Sequence, residues 1–212
     1  MEKIVDGVLK FKNEVFPEHN GLFSELATGQ SPEVLMVTCA DSRIDPAMIT
    51  QTNPGDLFIC RNAGNIVPAY AAGGESNTAS IEYAVAALGI KEIVVCGHTD
   101  CGAMKGAMNT EALTALPHVC GWLTHSDAAV KVAKANKPDA ENPELLREVI
   151  EQNVVLQLQH LKTHPYVAEA MAAGKLRLHG WVYDIGEGSI YAHNENSGSF
   201  ELLSQQAAVA AE

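Results

Sequence analysis

Short apolar runs alternate with amphipathic stretches along this chain, and the alternation predicts an α/β fold. The runs at 34–38, 56–60 and 93–96 have strand length, and residues 176–183 and 189–193 are also strand-like. Continuous apolar strands are typical of a sheet that is covered on both faces. We therefore expect a central, mostly parallel β-sheet flanked by helices.

Helical spacing marks most of the remaining chain. Ile4, Val8, Phe11 and Val15 form one apolar stripe over residues 3–16, which is predicted to end at Pro17. Asn142 is the predicted N-cap of the longest helix. The other helices are predicted at about 19–28, 77–88, 142–163 and 165–174, and the residues from 200 onward are helical in composition. Without an internal repeat or linker, residues 1–212 are expected to form one domain, with a helical arm over 1–30.

Charge and composition narrow the class of protein. The 212 residues include 14 Lys and Arg against 26 Asp and Glu, a formal net charge of -12. So acidic a chain is a poor ligand for nucleic acids or anionic membranes. No run approaches the ~20 apolar residues of a membrane span, and the first residues do not resemble a signal peptide. We expect a cytoplasmic protein, in which five cysteines favour metal binding or catalysis over disulfides.

Two short segments place soft metal ligands directly after apolar runs. Cys39-Ala40-Asp41-Ser42-Arg43 follows the first predicted strand, and His98-Thr99-Asp100-Cys101-Gly102 follows the run at 93–96. The carboxyl ends of parallel strands share one edge of a sheet, so the two segments are expected to be neighbours. Two thiolates and an imidazole select Zn²⁺ and leave its fourth position open, which is the pattern of a catalytic site.

A carboxylate and an arginine accompany this predicted zinc site. Asp41 lies two residues after Cys39, so an extended backbone directs both side chains to one face. The Asp41 carboxylate competes with water for the fourth zinc position. Arg43 can hold that carboxylate bidentately, away from the metal, which leaves the position to water. Zinc would make this water a nucleophile near neutral pH.

The two segments together resemble the signature of the β-class carbonic anhydrases, and the resemblance covers roughly residues 20–195. Further matches lie at 54–56, 61–65, 80–84, 105–106 and 179–184. The resemblance implies a zinc lyase that hydrates CO₂ reversibly to bicarbonate and a proton, by attack of zinc-bound hydroxide. It assigns one zinc ion per chain to Cys39, His98 and Cys101, with Asp41 as a conditional fourth ligand. Asp41 and Arg43 form its catalytic dyad.

The family has two branches, and this sequence is more similar to the plant-like branch, which has an open zinc site. The bicarbonate-regulated branch has a Trp three positions before the first cysteine ligand, where this chain has Met36. Arg61 and Tyr183 do match the anion pocket of that branch. Loss of the Trp argues against strong regulation by bicarbonate.

The resemblance also implies where the substrate binds. Gln30, Phe58 and Tyr83 stand at the spacings of the plant-like substrate residues. Gly102 is the fourth residue expected to bind substrate. Family members are dimers or larger, with active sites at subunit interfaces. The chain is therefore expected to form a homodimer or homotetramer in which the N-terminal helices pack on a partner. Gln30, Phe58 and Tyr83 would then serve the neighbouring subunit's zinc.

Two other functions stay open at this point. The same zinc site can hydrolyse CS₂ or COS in place of hydrating CO₂. A non-catalytic protein could also use two cysteines, a histidine and an aspartate as a purely structural zinc site. Arg43 argues against the structural site, which needs no arginine to draw away its fourth ligand.

Overall fold

A computed structural model describes residues 1–204, and the chain divides after Ser31 into two compact units. The first unit is helical and leaves much of its apolar stripe uncovered: Ile4 is 62% exposed and Val8 61%. The rings of Phe11, Phe16 and Phe23 cluster, with centroids 5.1–6.1 Å apart. Its helices are α1 (Glu2–Lys10), a π-helical turn (Phe11–Val15), α2 (Phe16–Glu18) and α3 (Asn20–Leu26).

The second unit is an α/β sheet structure. Its elements are β1 (Val34–Cys39), α4 (Pro46–Thr50), β2 (Leu57–Asn62), α5 (Glu75–Glu82), β3 (Glu92–His98), α6 (Gly102–Met108), α7 (Pro117–Leu123), α8 (Asp127–Asn136), α9 (Asn142–Leu161), α10 (Pro165–Ala172), β4 (Arg177–Asp184), β5 (Ser189–His193) and β6 (Phe200–Leu202). A π-helical turn (Tyr83–Ala87) extends α5, and 3₁₀ turns lie at Thr110–Leu113 and Thr124–Ser126.

The sheet has six strands in the order β2-β1-β3-β4-β5-β6. The first four are parallel, and β5 and β6 are antiparallel additions at one edge. The predicted mostly parallel sheet is therefore confirmed. The chain leaves β1 toward β2 and leaves β3 toward β4, in opposite directions. This topological switch point opens a crevice between the carboxyl ends of β1 and β3, where ligands bind in sheets of this kind.

The long helix α9 lies against β3 and β4 at two glycines. A Cβ on Gly180 would stand 2.8 Å from Val154 Cγ1 and 3.0 Å from Leu158 Cδ1. A Cβ on Gly97 would stand 3.0 Å from Val154 Cγ2. Only glycine at these positions lets the helix approach the strands so closely, because protein interiors have little free volume. The approach brings polar side chains of α9 to the loop that follows β2.

Three sequence-based expectations about element ends are wrong. The first helix continues past Pro17 to Glu18. A π-helical turn precedes the proline, which therefore falls in the first turn of α2, where its missing N–H is tolerated. Helix α9 begins at Asn142, and Glu141 occupies the N-cap position. Residues from 200 onward do not start a helix: Phe200–Leu202 pairs with β5 as the edge strand β6. The rest of that expectation, at 205–212, falls outside the described residues.

Helix α9 is also the longest helix of the described part. No helix within residues 1–204 has both the length and the apolar character needed to cross a bilayer.

Substitution of Gly180 by alanine is expected to destabilise the protein by about 1–3 kcal/mol, because the new methyl group overpacks the contact with α9. The midpoint of thermal unfolding, measured at matched zinc content, should fall. Gly121 on α7 is the matched control, since nothing lies within 4 Å of its Cβ position. Gly121→Ala should stabilise the helix by up to about 1 kcal/mol. Equal shifts for the two variants would contradict the close approach of α9.

Candidate metal centre

The crevice between β1 and β3 brings together three potential metal ligands. Cys39 ends β1, His98 ends β3, and Cys101 is the N-cap residue of α6. Their two Sγ atoms and one ring nitrogen lie within 4.8 Å of one another. All three residues are buried, with 5%, 0% and 1% of their surface exposed. The expected juxtaposition of the two segments is confirmed, and it follows from the parallel pairing of β1 with β3.

The imidazole of His98 is oriented as a metal ligand. Its Nδ1 lies 2.8 Å from the carbonyl oxygen of Thr99, which can only accept a hydrogen bond. Nδ1 therefore carries the proton, and Nε2 presents a lone pair. Nε2 is buried, and it finds no hydrogen-bond partner within residues 1–204. A buried acceptor without a partner is costly, and a metal ion in the cluster would satisfy it.

The surroundings of the two cysteine sulfurs also favour cation binding. The hydrogen bond from the Cys101 side chain is the main reason that the pKa of Cys39 falls to about 4. The same pairing raises the pKa of Cys101. The backbone N–H of Gly64 donates to Cys39 Sγ at 3.3 Å. The first N–H groups of α6, from Ala103 and Met104, act in the same sense on Cys101. A donor set of two sulfurs and one imidazole suits Zn²⁺.

Asp41 and Arg43 form a bidentate ion pair beside this cluster. Arg43 donates from Nε to Asp41 Oδ1 at 2.9 Å and from Nη2 to Oδ2 at 2.8 Å. The backbone N–H of Arg43 also donates to Oδ1, at 3.0 Å. These hydrogen bonds hold the pKa of the Asp41 carboxyl well below its usual range. Asp41 Oδ2 lies 3.8 Å from His98 Nε2, so the carboxylate is within reach of the metal position while Arg43 restrains it.

Asp100 supplies a second carboxylate to Arg43, a contact that was not predicted from the sequence. Its Oδ2 accepts from Arg43 Nη1 at 2.9 Å, and its other oxygen pairs with Lys105. Its backbone is left-handed, with a φ of 59°. Its negative charge, between His98 and Cys101 in the sequence, is the feature from which this role could have been predicted. Charges therefore alternate in sign along the series Lys105, Asp100, Arg43 and Asp41. The two carboxylates hold the guanidinium of Arg43 from both sides.

Arg61 and Tyr183 lie near the site, and their hydrogen bonds to it are made to backbone groups of the site residues. Arg61 donates from Nε to the carbonyl oxygen of Cys39 at 3.0 Å and from Nη2 to that of Asp41 at 2.7 Å. Tyr183 pairs with His98 across β3 and β4, and its carbonyl oxygen accepts from Thr99 N–H at 2.9 Å. Arg61 therefore fixes the turn that carries Asp41.

Of the four residues assigned to substrate binding, the three in the second unit are not gathered in one place. The rings of Phe58 and Tyr83 neighbour each other, with centroids 6.1 Å apart, and Tyr83 is 49% exposed. Phe58 pairs with Leu35, four residues before Cys39, which places it about 13 Å back along the strands. Gly102 directly follows Cys101 as the first residue of α6. The fourth residue, Gln30, is exposed and belongs to the first unit.

Comparison with known proteins identifies the family of this chain. The family model described as "Carbonic anhydrase" matches residues 34–190. A carbonic anhydrase of Pseudomonas aeruginosa is 46% identical over 211 residues, which are 100% of this chain and 96% of that protein. The solved β-carbonic anhydrase CcaA has a TM-score of 0.94 and 40% identity, over 96% of this chain and 99% of that one. A tetrameric β-carbonic anhydrase of Sordaria macrospora has a TM-score of 0.78 and 31% identity, over 90% and 95% of the two chains.

The resemblance read from the two segments is thus confirmed over nearly the whole chain. This chain belongs to the β-carbonic anhydrases, a family of zinc enzymes whose general reaction is the reversible hydration of CO₂ to bicarbonate.

Proposed function

We propose that the chain performs this reaction at a zinc ion held by Cys39, His98 and Cys101, with the Asp41–Arg43 pair controlling the fourth zinc position. The observation that carries the proposal is the unpaired Nε2 of buried His98, which lies among two thiols and beside a restrained carboxylate. When bound, zinc supplies a Lewis acid that lowers the pKa of water to about 7–9, so that a nucleophile is available near neutral pH.

Arg43 restrains the carboxylate of Asp41 and keeps it off the metal position. Three N–H groups of Arg43 engage the two carboxylate oxygens, so turning Asp41 onto the metal would break charge-assisted hydrogen bonds. Asp100 and Lys105 hold the guanidinium in that orientation. Asp41 keeps further lone pairs, one of which can accept a hydrogen bond from the attacking water and aim it at the substrate.

The substrate pocket is proposed to form between subunits. Phe58 and Tyr83 make an aromatic wall, but it lies about 13 Å along the strands from the level of this chain's own Cys39. We therefore assign these two residues, with Gln30, to the zinc of a neighbouring subunit, and Gly102 to the zinc of its own subunit. The uncovered apolar stripe of α1 supports a homodimer or tetramer in which this helix packs on a partner.

A reducing cytoplasm suits this chemistry. All five cysteines are free thiols, and the two at the site have to bind metal as thiolates. The whole chain is then proposed to work as one carbonic anhydrase domain, with residues 1–30 as its oligomerisation arm.

Loss of the histidine ligand should remove zinc together with activity. His98→Gln is expected to abolish equimolar zinc binding after dialysis against a chelator, because a neutral amide replaces the imidazole donor. Zinc content by atomic absorption and CO₂ hydration by stopped flow are the measurements. The matched control is His118→Gln, at an exposed histidine on α7, and it should keep both properties. Full zinc content in His98→Gln would contradict the ligand assignment.

Removal of the arginine should separate activity from metal binding. Arg43→Gln is expected to lower kcat/KM for hydration by about 10–100-fold or more while zinc content is retained, because Asp41 becomes free to occupy the metal. Arg177→Gln is the control, since Arg177 pairs with Glu92 at the opposite end of the strands, with Nε and Oε1 2.9 Å apart. Wild-type hydration in Arg43→Gln would show that the dyad does not control the fourth position.

The pH profile should distinguish the proposed reaction from its alternatives. Hydration is expected to rise from about pH 6.5 to about pH 9, because the deprotonated nucleophile is the active form. Arg43 holds the pKa of Asp41 well below its usual range, so Asp41 stays ionised and the rise has another source. Hydration that is absent at every pH in fully zinc-loaded protein would reject the proposal. Parallel assays with CS₂ and COS would then separate a different hydrolase from a structural metal site.

A further inference from the structure

One peptide group connects the sulfur of Cys39 to a tryptophan on another element. Its N–H, that of Gly64, donates to Cys39 Sγ at 3.3 Å. Its carbonyl oxygen, that of Ala63, accepts from Trp122 Nε1 at 2.8 Å. Both hydrogen bonds belong to the same planar unit, so the direction of the carbonyl also sets the direction of the N–H.

We propose that Trp122 is a positioning residue for the Cys39 thiolate. Its indole N–H fixes the plane of the 63–64 peptide and polarises it, which strengthens the N–H bond to the sulfur. A hydrogen bond to a metal-bound thiolate withdraws electron density from the sulfur and so tunes the metal. The inference rests on the proposed function in one respect, namely that Cys39 is a metal ligand.

The backbone around Gly64 is built to make this contact. Gly64 has a φ of 84°, and a Cβ there would stand 2.9 Å from Met104 Cε and 3.0 Å from Ala103 Cβ. The following peptide is held as well, because buried Asn153 on α9 donates from Nδ2 to the carbonyl oxygen of Gly64 at 3.0 Å. Side chains from α7 and α9 therefore fix the peptide groups on both sides of one glycine.

Trp122 is itself restrained. Its ring meets that of His125 edge to face, with centroids 5.6 Å apart, and it packs against the main hydrophobic core. It lies 58 residues after Gly64 in the sequence, so this link exists only through the fold.

The test compares two replacements of Trp122 in the full-length, Co(II)-substituted enzyme. Trp122→Phe removes the indole N–H together with part of the ring. Incorporation of β-(3-benzothienyl)alanine at position 122 keeps the bicyclic shape and replaces the N–H by sulfur. Both are expected to move the thiolate-to-cobalt charge-transfer band to longer wavelength, because a sulfur without its donor holds its electrons less tightly. In the zinc enzymes, kcat/KM for hydration should fall by about 10–100-fold.

Trp181→Phe provides the matched control. This second tryptophan packs against the smaller cluster of Met36, Val94 and Cys96, so the same substitution there changes packing away from the Ala63–Gly64 peptide. Its cobalt spectrum should equal that of the wild type.

Three outcomes would overturn the proposal. A wild-type spectrum in both Trp122 variants would show that the indole does not act on the sulfur. A shift in Trp122→Phe alone, with the benzothienyl variant unchanged, would assign the effect to packing. A wild-type cobalt enzyme without any thiolate charge-transfer band would reject Cys39 as a ligand, and with it the proposed function, whereas the first two outcomes leave that function standing.

Discussion

The molecule depends on a buried cluster of electron-pair donors that requires a cation. Two sulfurs and an imidazole nitrogen lie within 4.8 Å of one another in a nearly solvent-free crevice. Lone pairs crowded together away from water are unfavourable unless a positive charge compensates them. The fold supplies partial compensation from the Gly64 N–H on one side and the first turn of α6 on the other. A metal ion would complete it, so metal binding and folding are coupled at this site.

Charge at the mouth of the crevice is arranged differently. Asp41, Arg43, Asp100 and Lys105 form an alternating series in which Arg43 and Asp100 are substantially exposed. Exposed ion pairs contribute little to stability. Their value here is geometric, because a bidentate contact from a planar guanidinium fixes where a carboxylate points. The restraint is strong enough to direct Asp41 and still leaves it within 3.8 Å of the His98 nitrogen.

Prediction from the sequence succeeded where local pattern was strong. The five predicted strands are all present. Three of them come from apolar runs, which have few alternatives to burial in a sheet. The helices α4 and α6–α8 were not predicted. They are only 5–10 residues long, and segments such as Gly102–Met108 are rich in small side chains, so their apolar periodicity is weak. Such segments become helical through packing rather than through their own propensity. The three-residue strand β6 likewise depends on its partner β5.

Some features of the candidate site likewise follow from local pattern, and others depend on packing. The donor types, their spacing within each segment and the pairing of Asp41 with Arg43 could be predicted from the sequence, since residues two or three apart are placed by covalent geometry and local backbone conformation. The rest of the site depends on how distant segments pack together. The parallel pairing of β1 with β3 joined Cys39 to His98, and the register of β2 placed Phe58 away from them. The packing of α7 and α9 directed Trp122 and Asn153 onto the peptides beside Gly64. Contacts of this kind depend on strand register and helix packing, which no local pattern of residues specifies.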